Sequence, residues 1–230
     1  SSPRPMSTDE PQRNENEGRR RSIVDAAEAV LTEKEHGDMT MADIAQEAEI
    51  SRSLLYVYFE NMDDIVLAVT HRGFRSMRRR FEAAVAEHDT GLLQMRGIGA
   101  AYVDFAREEP THFHLVAQFE SRVTDPEHVA GRMRKCLGEA DRGLGAMAEA
   151  IRNGIDDGSM RPDLDPLKTA MTLWGSTHGL VQLAVNKGDG LKQQYDLAPE
   201  RLVEEGLDVL GVALASHSSE GSSGSGSPES

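Results

Sequence analysis

Thr40, Ser51, Arg52, Ser53, Tyr56 and Tyr58 fall within one segment, TMADIAQEAEISRSLLYVYFENMDDI, residues 40–65. Hydroxyl groups and a guanidinium gathered in this way suit noncovalent recognition, in which they donate hydrogen bonds to the oxygens of an anionic polymer. Bond-making chemistry would need other features. The chain has no glycine-rich phosphate loop, no nucleophile elbow and no paired His-Glu metal motif, which argues against an enzyme and leaves no catalytic residue to name. His112 and His114 invite a metal reading with His128 or Cys136, but residues two apart on a helix point to nearly opposite sides. No metal and no cofactor is therefore expected.

The distribution of charge narrows the binding class. The formal net charge is −14, which argues against a protein that coats nucleic acid without sequence preference, because such binding is driven by clustered cations releasing counterions. Arginines do cluster locally. Arg19, Arg20 and Arg21 open the first helical stretch, Arg52 lies in the segment above, and Arg72, Arg75, Arg78, Arg79 and Arg80 follow it. Cys136, the single cysteine, can form no intrachain disulfide and reads as an inert packing residue. No apolar run reaches the roughly 18 residues of a membrane span, and residues 1–18 are polar, so no membrane and a cytoplasmic location are expected.

Apolar residues recur at helical spacing throughout, and no alternating strand pattern occurs, so the fold class is all-α. Ile23, Ala26, Ala27, Val30 and Leu31 give a first helix from about Arg19 to Glu33 one apolar face. Thr40, with Asp43 three residues on, can cap a short second helix packed through Ile44, Ala45 and Ala48, and Ser51 can cap a third over Arg52–Phe59. A long fourth helix starts at Asn61. A fifth ends before Pro110, a sixth covers about 111–121, a seventh 126–153, and an eighth and ninth follow the loop at 154–162. Asp156, Asp157, Glu204 and Glu205 read as solvated surface. Residues 1–17 are expected to be a disordered arm and 216–230 a flexible Ser/Gly-rich tail.

A short helix, a tight turn and a second short helix, packed on an Arg-rich first helix, is the arrangement that places one helix end in a major groove. Residues 40–65 also resemble the signature of the TetR family of transcriptional regulators, and the specific resemblance covers about 19–70. It implies a helix-turn-helix head at 18–62 and a larger helical ligand-binding and dimerisation domain at 63–215. It further implies that Leu55 and Phe59 bury against the first helix while Arg52, Ser53, Leu54, Tyr56 and Val57 face DNA. There Arg52 can fork onto guanine, and Leu54 and Val57 can meet thymine methyls. Thr40, Ser51, Tyr56 and Tyr58 can donate to phosphates, and Arg19, Arg20 and Arg21 lie near the flanking backbone or minor groove. Two positions depart from the family pattern: Glu49 stands where the turn usually has Gly, and Met62 where a Lys usually follows the reading helix.

The same resemblance implies a homodimer whose eighth and ninth helices pair with their symmetry mates. Gly175 and Gly179, one turn apart, can permit close helix approach, with Leu183, Leu207 and Leu210 as apolar cover. Tyr102, Phe105, Phe113, Phe119, Met147, Met171, Trp174 and His178 are the candidates for lining a cavity that takes a small apolar effector. The function expected is a repressor bound to palindromic double-stranded operator DNA and released by that effector. The alternative is a helical dimeric ligand-binding or protein-binding module that has lost specific DNA binding.

Overall fold

A computed structural model describes residues 9–34, 38–122 and 131–216. The described residues form α1 (Asp9–Glu33), α2 (Met41–Glu47), α3 (Arg52–Tyr58), α4 (Met62–Glu87), α5 (Gly91–Glu108), α6 (Pro110–Arg122), α7 (Arg132–Asp156), α8 (Pro166–Tyr195) and α9 (Pro199–Leu214). Among them the only β pairing is an isolated antiparallel bridge between Met160 and Ala215. The all-α class is thus the observed one. Residues 217–230, most of the expected tail, and 126–130, the expected start of the seventh helix, lie outside the described residues.

Of the arm expected to be disordered, residues 1–8 lie outside the described residues and the remainder is helical from Asp9, ten residues before the expected start of α1. Its polar composition carries no apolar stripe, but α1 is held by contacts its own periodicity cannot display. Tyr58 of α3 donates its hydroxyl to Asn16 Oδ1 at 3.2 Å. Tertiary anchoring of this kind is the usual source of helix stability in proteins.

The chain divides into two compact units, one of Ser1–Arg80 with Tyr102–Gly143, the other of Phe81–Ala101 with Leu144–Ser230. Neither follows the 62/63 division expected from sequence. In the first unit the core beneath the reading segment joins Ile23, Ala27 and Val30 of α1, Ile44 and Ala45 of α2, Leu55 and Phe59, and Ile65, Val66 and Val69 of α4. Leu115 of α6 belongs to the same cluster. The head is therefore not closed by its own three helices. Each fully buried Ile, Leu or Phe here contributes about 1.5–3 kcal/mol, which is how two helices of seven residues are retained.

In the second unit α8 and α9 pack together. Ala170, Leu173, Thr177 and Val181 form the buried stripe of α8. The start of α5 is clamped from the α7–α8 loop: Gly91 N–H donates to Asp157 Oδ2 at 2.8 Å and Leu92 N–H to Ser159 Oγ at 3.2 Å. Asp157 is exposed, as expected, and its carboxylate also anchors otherwise unpaired amides. A Cβ at residue 91 would lie 2.0 Å from Gly154 N and 2.3 Å from Ala150 O. Backbone atoms cannot yield as a side chain does, so Gly91→Ala must separate α5 from α7. We expect this substitution to cost about 3 kcal/mol, read as a lowered urea midpoint with unchanged m-value.

Candidate nucleic-acid interface

The second and third helices begin as their sequences foretell. Thr40 caps α2 in a reciprocal box: its Oγ1 accepts from Asp43 N–H at 3.2 Å, and Thr40 N–H donates to Asp43 Oδ2 at 2.9 Å. The Thr40 hydroxyl also donates to that carboxylate at 2.7 Å, and Lys34 Nζ reaches Asp43 Oδ1 at 2.8 Å. The hydrogen bond from Lys34, followed by those from Thr40, pulls the Asp43 carboxyl down to about 2. Ser51 caps α3 by accepting from Leu54 N–H at 3.2 Å, and its hydroxyl lies 2.9 Å from that of Ser53.

The turn between them has a defined geometry. Ile50 N–H donates to Ala45 O at 2.9 Å and Glu49 N–H to Gln46 O at 3.1 Å, the nested pair that closes a helix on a left-handed residue. That residue is Glu49, at φ 53°. Glycine would adopt this conformation without a Cβ penalty, and Glu49 adopts it nonetheless.

Leu55 and Phe59 are buried, as the division of labour requires, and the other faces of α3 are open. Val57 is 75% exposed and Tyr56 50%. Arg52, Ser51 and Ser53 are exposed and Leu54 is half-buried, so none of the six candidates from Ser51 to Val57 is sealed in the core. Tyr58 is half-buried, its hydroxyl engaged by Asn16.

The arginines at 19–21 separate in role. Arg19 and Arg21 are exposed. Arg20 turns inward: its Nη2 donates to Tyr58 O at 2.9 Å, and its guanidinium lies 4.9 Å from the Phe59 ring centroid. Successive helical residues are rotated by about 100°, so only one of three neighbours can meet the end of α3, and Arg20 secures a carbonyl there instead of standing toward flanking DNA. A second guanidinium, Arg132 of α7, lies 4.8 Å from the same ring and is paired with Asp64 of α4. The sequence carries no signal for Asn16 or Arg132, because each acts across a long chain separation.

The candidate effector residues are placed unit by unit. In the first, Tyr102, Phe105 and Phe113 are buried with ring centroids 5.8–6.4 Å apart, and Phe119 meets Phe74 edge-on at 5.3 Å. In the second, Met147 is buried, and Trp174 stacks on His178 at 5.6 Å and meets Phe81 edge-on at 6.4 Å. Burial pushes the His178 imidazole below its ordinary value, which favours its neutral form. Met171 does not join them: it is 59% exposed, on the face of α8 opposite the buried stripe.

That outward face carries Gly175 and Gly179, where an added Cβ would meet nothing within 4 Å, and Leu183. On α9, Val209 and Val212 are 69% and 66% exposed, two apolar positions the sequence reading passed over. Leu207 points the other way, its Cδ2 only 3.1 Å from the position of a Cβ at Gly99, so it packs within its own unit. Leu210 is half-buried. Burial pushes the Cys136 thiol up to about 12, consistent with packing rather than reactivity.

Comparison with known proteins agrees with this architecture. Residues 23–69 match the model for bacterial regulatory proteins of the tetR family, and residues 95–210, half of the chain, match the tetracyclin repressor-like C-terminal domain. The chain belongs to the TetR family. This TetR-family transcriptional regulator is 23% identical over 176 residues to the fatty acid metabolism regulator protein of Bacillus subtilis, a match covering 76% of this chain and 86% of the relative. Among solved structures it is similar to the transcriptional regulator FadR from Bacillus subtilis in complex with stearoyl-CoA. That match has a TM-score of 0.65 and 21% identity, covering 84% of this chain and 97% of the other. It is also similar to AibR in complex with isovaleryl coenzyme A and operator DNA, with a TM-score of 0.60 and 14% identity, covering 83% and 97%. No helix among the described residues is long and apolar enough to cross a membrane.

The left-handed turn makes a direct prediction. Glu49→Gly should raise stability by about 1 kcal/mol by removing the Cβ penalty, whereas Glu49→Val should lower it, both read from thermal unfolding.

Proposed function

We propose that this regulator is a homodimeric repressor of palindromic operator DNA, released by an acyl thioester of coenzyme A. The observation that carries the DNA reading is the open face of α3: its two core residues are sealed beneath it while Arg52, Tyr56 and Val57 stand outward. Arg52 forks onto guanine, Leu54 and Val57 meet thymine methyls, and Ser51, Ser53, Thr40 and Tyr56 contact the backbone with Arg19 and Arg21 adding cationic flank. Thr40 and Ser51 already serve as caps, so their share of phosphate contact runs through the helix-end amides they order.

Two heads are required because one helix of seven residues reads too few base pairs for useful specificity. Met171, Gly175, Gly179 and Leu183 of α8, with Val209 and Val212 of α9, form the apolar face proposed to pair with a second copy. The effector class rests on the two solved relatives, whose ligands are stearoyl-CoA and isovaleryl coenzyme A, and on the buried aromatic residues Tyr102, Phe105, Phe113 and Phe119 of the first unit. An acyl chain suits such apolar walls. The site of action is the cytoplasm, where operator and acyl thioester are both present.

The test is selection of binding sites from a random duplex pool, followed by fluorescence anisotropy on the enriched duplex with and without acyl-CoA. We expect a palindrome, a steep salt dependence, and release by acyl-CoA but not by coenzyme A alone. The pair Arg52→Ala and Tyr56→Ala should abolish specific binding while the dimer stays folded by sedimentation and circular dichroism. A folded wild-type dimer that enriches no sequence overturns the repressor reading. Val209→Glu with Val212→Glu should yield a folded monomer that binds the palindrome at least tenfold more weakly.

A further inference from the structure

His112, the third residue of α6, stands between two carboxylates. Its Nδ1 is 2.8 Å from Oε2 of Glu109, the residue between α5 and α6, and its Nε2 is 3.0 Å from Glu28 Oε1 on α1. A carboxylate offers only acceptors, so both ring nitrogens can be satisfied only as donors, which makes the ring an imidazolium. All these residues lie in the first compact unit.

The neighbours show what the ring joins. On the α1 side, Glu28 also accepts from Arg72 Nη1 of α4 at 3.1 Å, and the same arginine pairs with Asp25 and donates to Arg21 O. On the α6 side, Glu109 accepts from Ser76 Oγ at 2.6 Å and from Arg80 Nη2 at 2.8 Å, and Arg80 also reaches Glu108. Asp25, Glu28, Glu108 and Glu109 thus face Arg72, Arg80 and, at Glu108, Arg107, so four acids meet three cations unless His112 is charged. With a neutral ring, one nitrogen's lone pair would also confront a carboxylate.

The backbone is built to allow this reach. A Cβ at Gly73 of α4 would lie 3.1 Å from His112 Cβ and 3.4 Å from its carbonyl oxygen. The missing side chain lets α6 lie close on α4, which brings the imidazole within range of α1.

We propose that His112, as an imidazolium, is a positioning residue for operator binding: it latches α1 of the reading head to α6, and operator affinity falls when the ring loses its proton. α1 carries the surface on which Leu55 and Phe59 seat the reading helix, so a head held to α6 by apolar packing alone has more orientations to lose on meeting DNA, and a dimer loses them twice. Burial alone would lower the affinity of this imidazole for its proton, but the hydrogen bonds and charges of Glu28 and Glu109 outweigh it and hold the ring above its ordinary value. A raised folded-state value means the stabilisation is complete below the unfolded value of about 6.5 and is lost as pH rises through the folded one.

The inference rests on the operator-binding reading, and the experiment separates the two. Anisotropy with the selected palindrome, at constant ionic strength from pH 6 to 9, should show wild-type affinity falling about tenfold with a midpoint above 6.5. His112→Gln should bind about tenfold more weakly at pH 6 and lack that step, leaving only the slope common to both proteins. His112→Arg, cationic throughout, should restore tight binding at pH 9, and Glu28→Gln should move the midpoint down. The titration of the His112 ring protons by NMR should share the wild-type midpoint. Equal pH profiles for wild type and His112→Gln overturn the proposal. Should the wild type bind no duplex at all, the operator reading fails, and the latch is decided by melting alone. The difference in Tm between wild type and His112→Gln must then shrink as pH rises, and a constant difference overturns the latch.

Discussion

The reading helix α3 has seven residues, far fewer than an isolated helix needs to persist in water, and the first unit is arranged around that shortage. Phe59 closes the helix by leaving helical geometry at φ −138° and ψ 128° and burying its ring. Guanidiniums of Arg20 and Arg132 lie about 5 Å from the ring centroid, contacts worth about 0.5–2 kcal/mol each depending on their desolvation. One cation comes from the first helix and the other from the seventh, so the end of the reading helix is held by chain segments far apart in sequence. The start of the helix is held locally, by the Ser51 cap and the left-handed turn at Glu49.

Charge is used in the same economical way. The chain is strongly acidic, yet many of its arginines are turned toward acids inside the fold. Arg78 and Arg142 meet the buried Glu139, with Arg78 Nε only 2.6 Å from Oε2. Burial alone would raise the Glu139 carboxyl, but these hydrogen bonds and charges hold it below its ordinary value. Because Arg72, Arg78 and Arg80 are occupied in this way, the arginine-rich stretch after the reading helix braces α4 rather than forming a free cationic strip. The proposed recognition rests on a few exposed groups on a well-supported helix, which fits specific binding by an acidic protein better than general affinity for phosphate.

The outward faces of α8 and α9 and the inward aromatic residues divide the remaining tasks. An exposed run containing Met171, Gly175, Gly179 and Leu183 is unusual for a solvated helix face, and Val209 and Val212 extend the apolar character onto α9. The aromatic side chains of α5 and α6 are instead buried against one another, where exchange of packing partners for an apolar ligand would be felt directly by α6. His112 sits on that same helix, one residue before Phe113, so the proposed effector residues of α6 and the proposed latch share one element.

Local chemistry was legible in the sequence, because caps, turns and apolar stripes are decided by residues within one or two helical turns. Thr40 with Asp43 and the Ser51 cap stand as their sequence foretold, and so does the all-helical class, while Leu55 and Phe59 turn inward as the family resemblance implied. The sequence could not show which of three consecutive arginines turns inward, that a polar N-terminal stretch continues α1 to Asp9, or that Met171 and Leu207 exchange the faces expected of them. Those outcomes depend on which distant segment arrives beside each residue. Arg20 meets the end of α3, Asn16 meets Tyr58, and His112 finds Glu28 only because glycine at position 73 lets two helices lie close. Periodicity determines which face of a helix is buried; tertiary packing alone determines what that face is buried against.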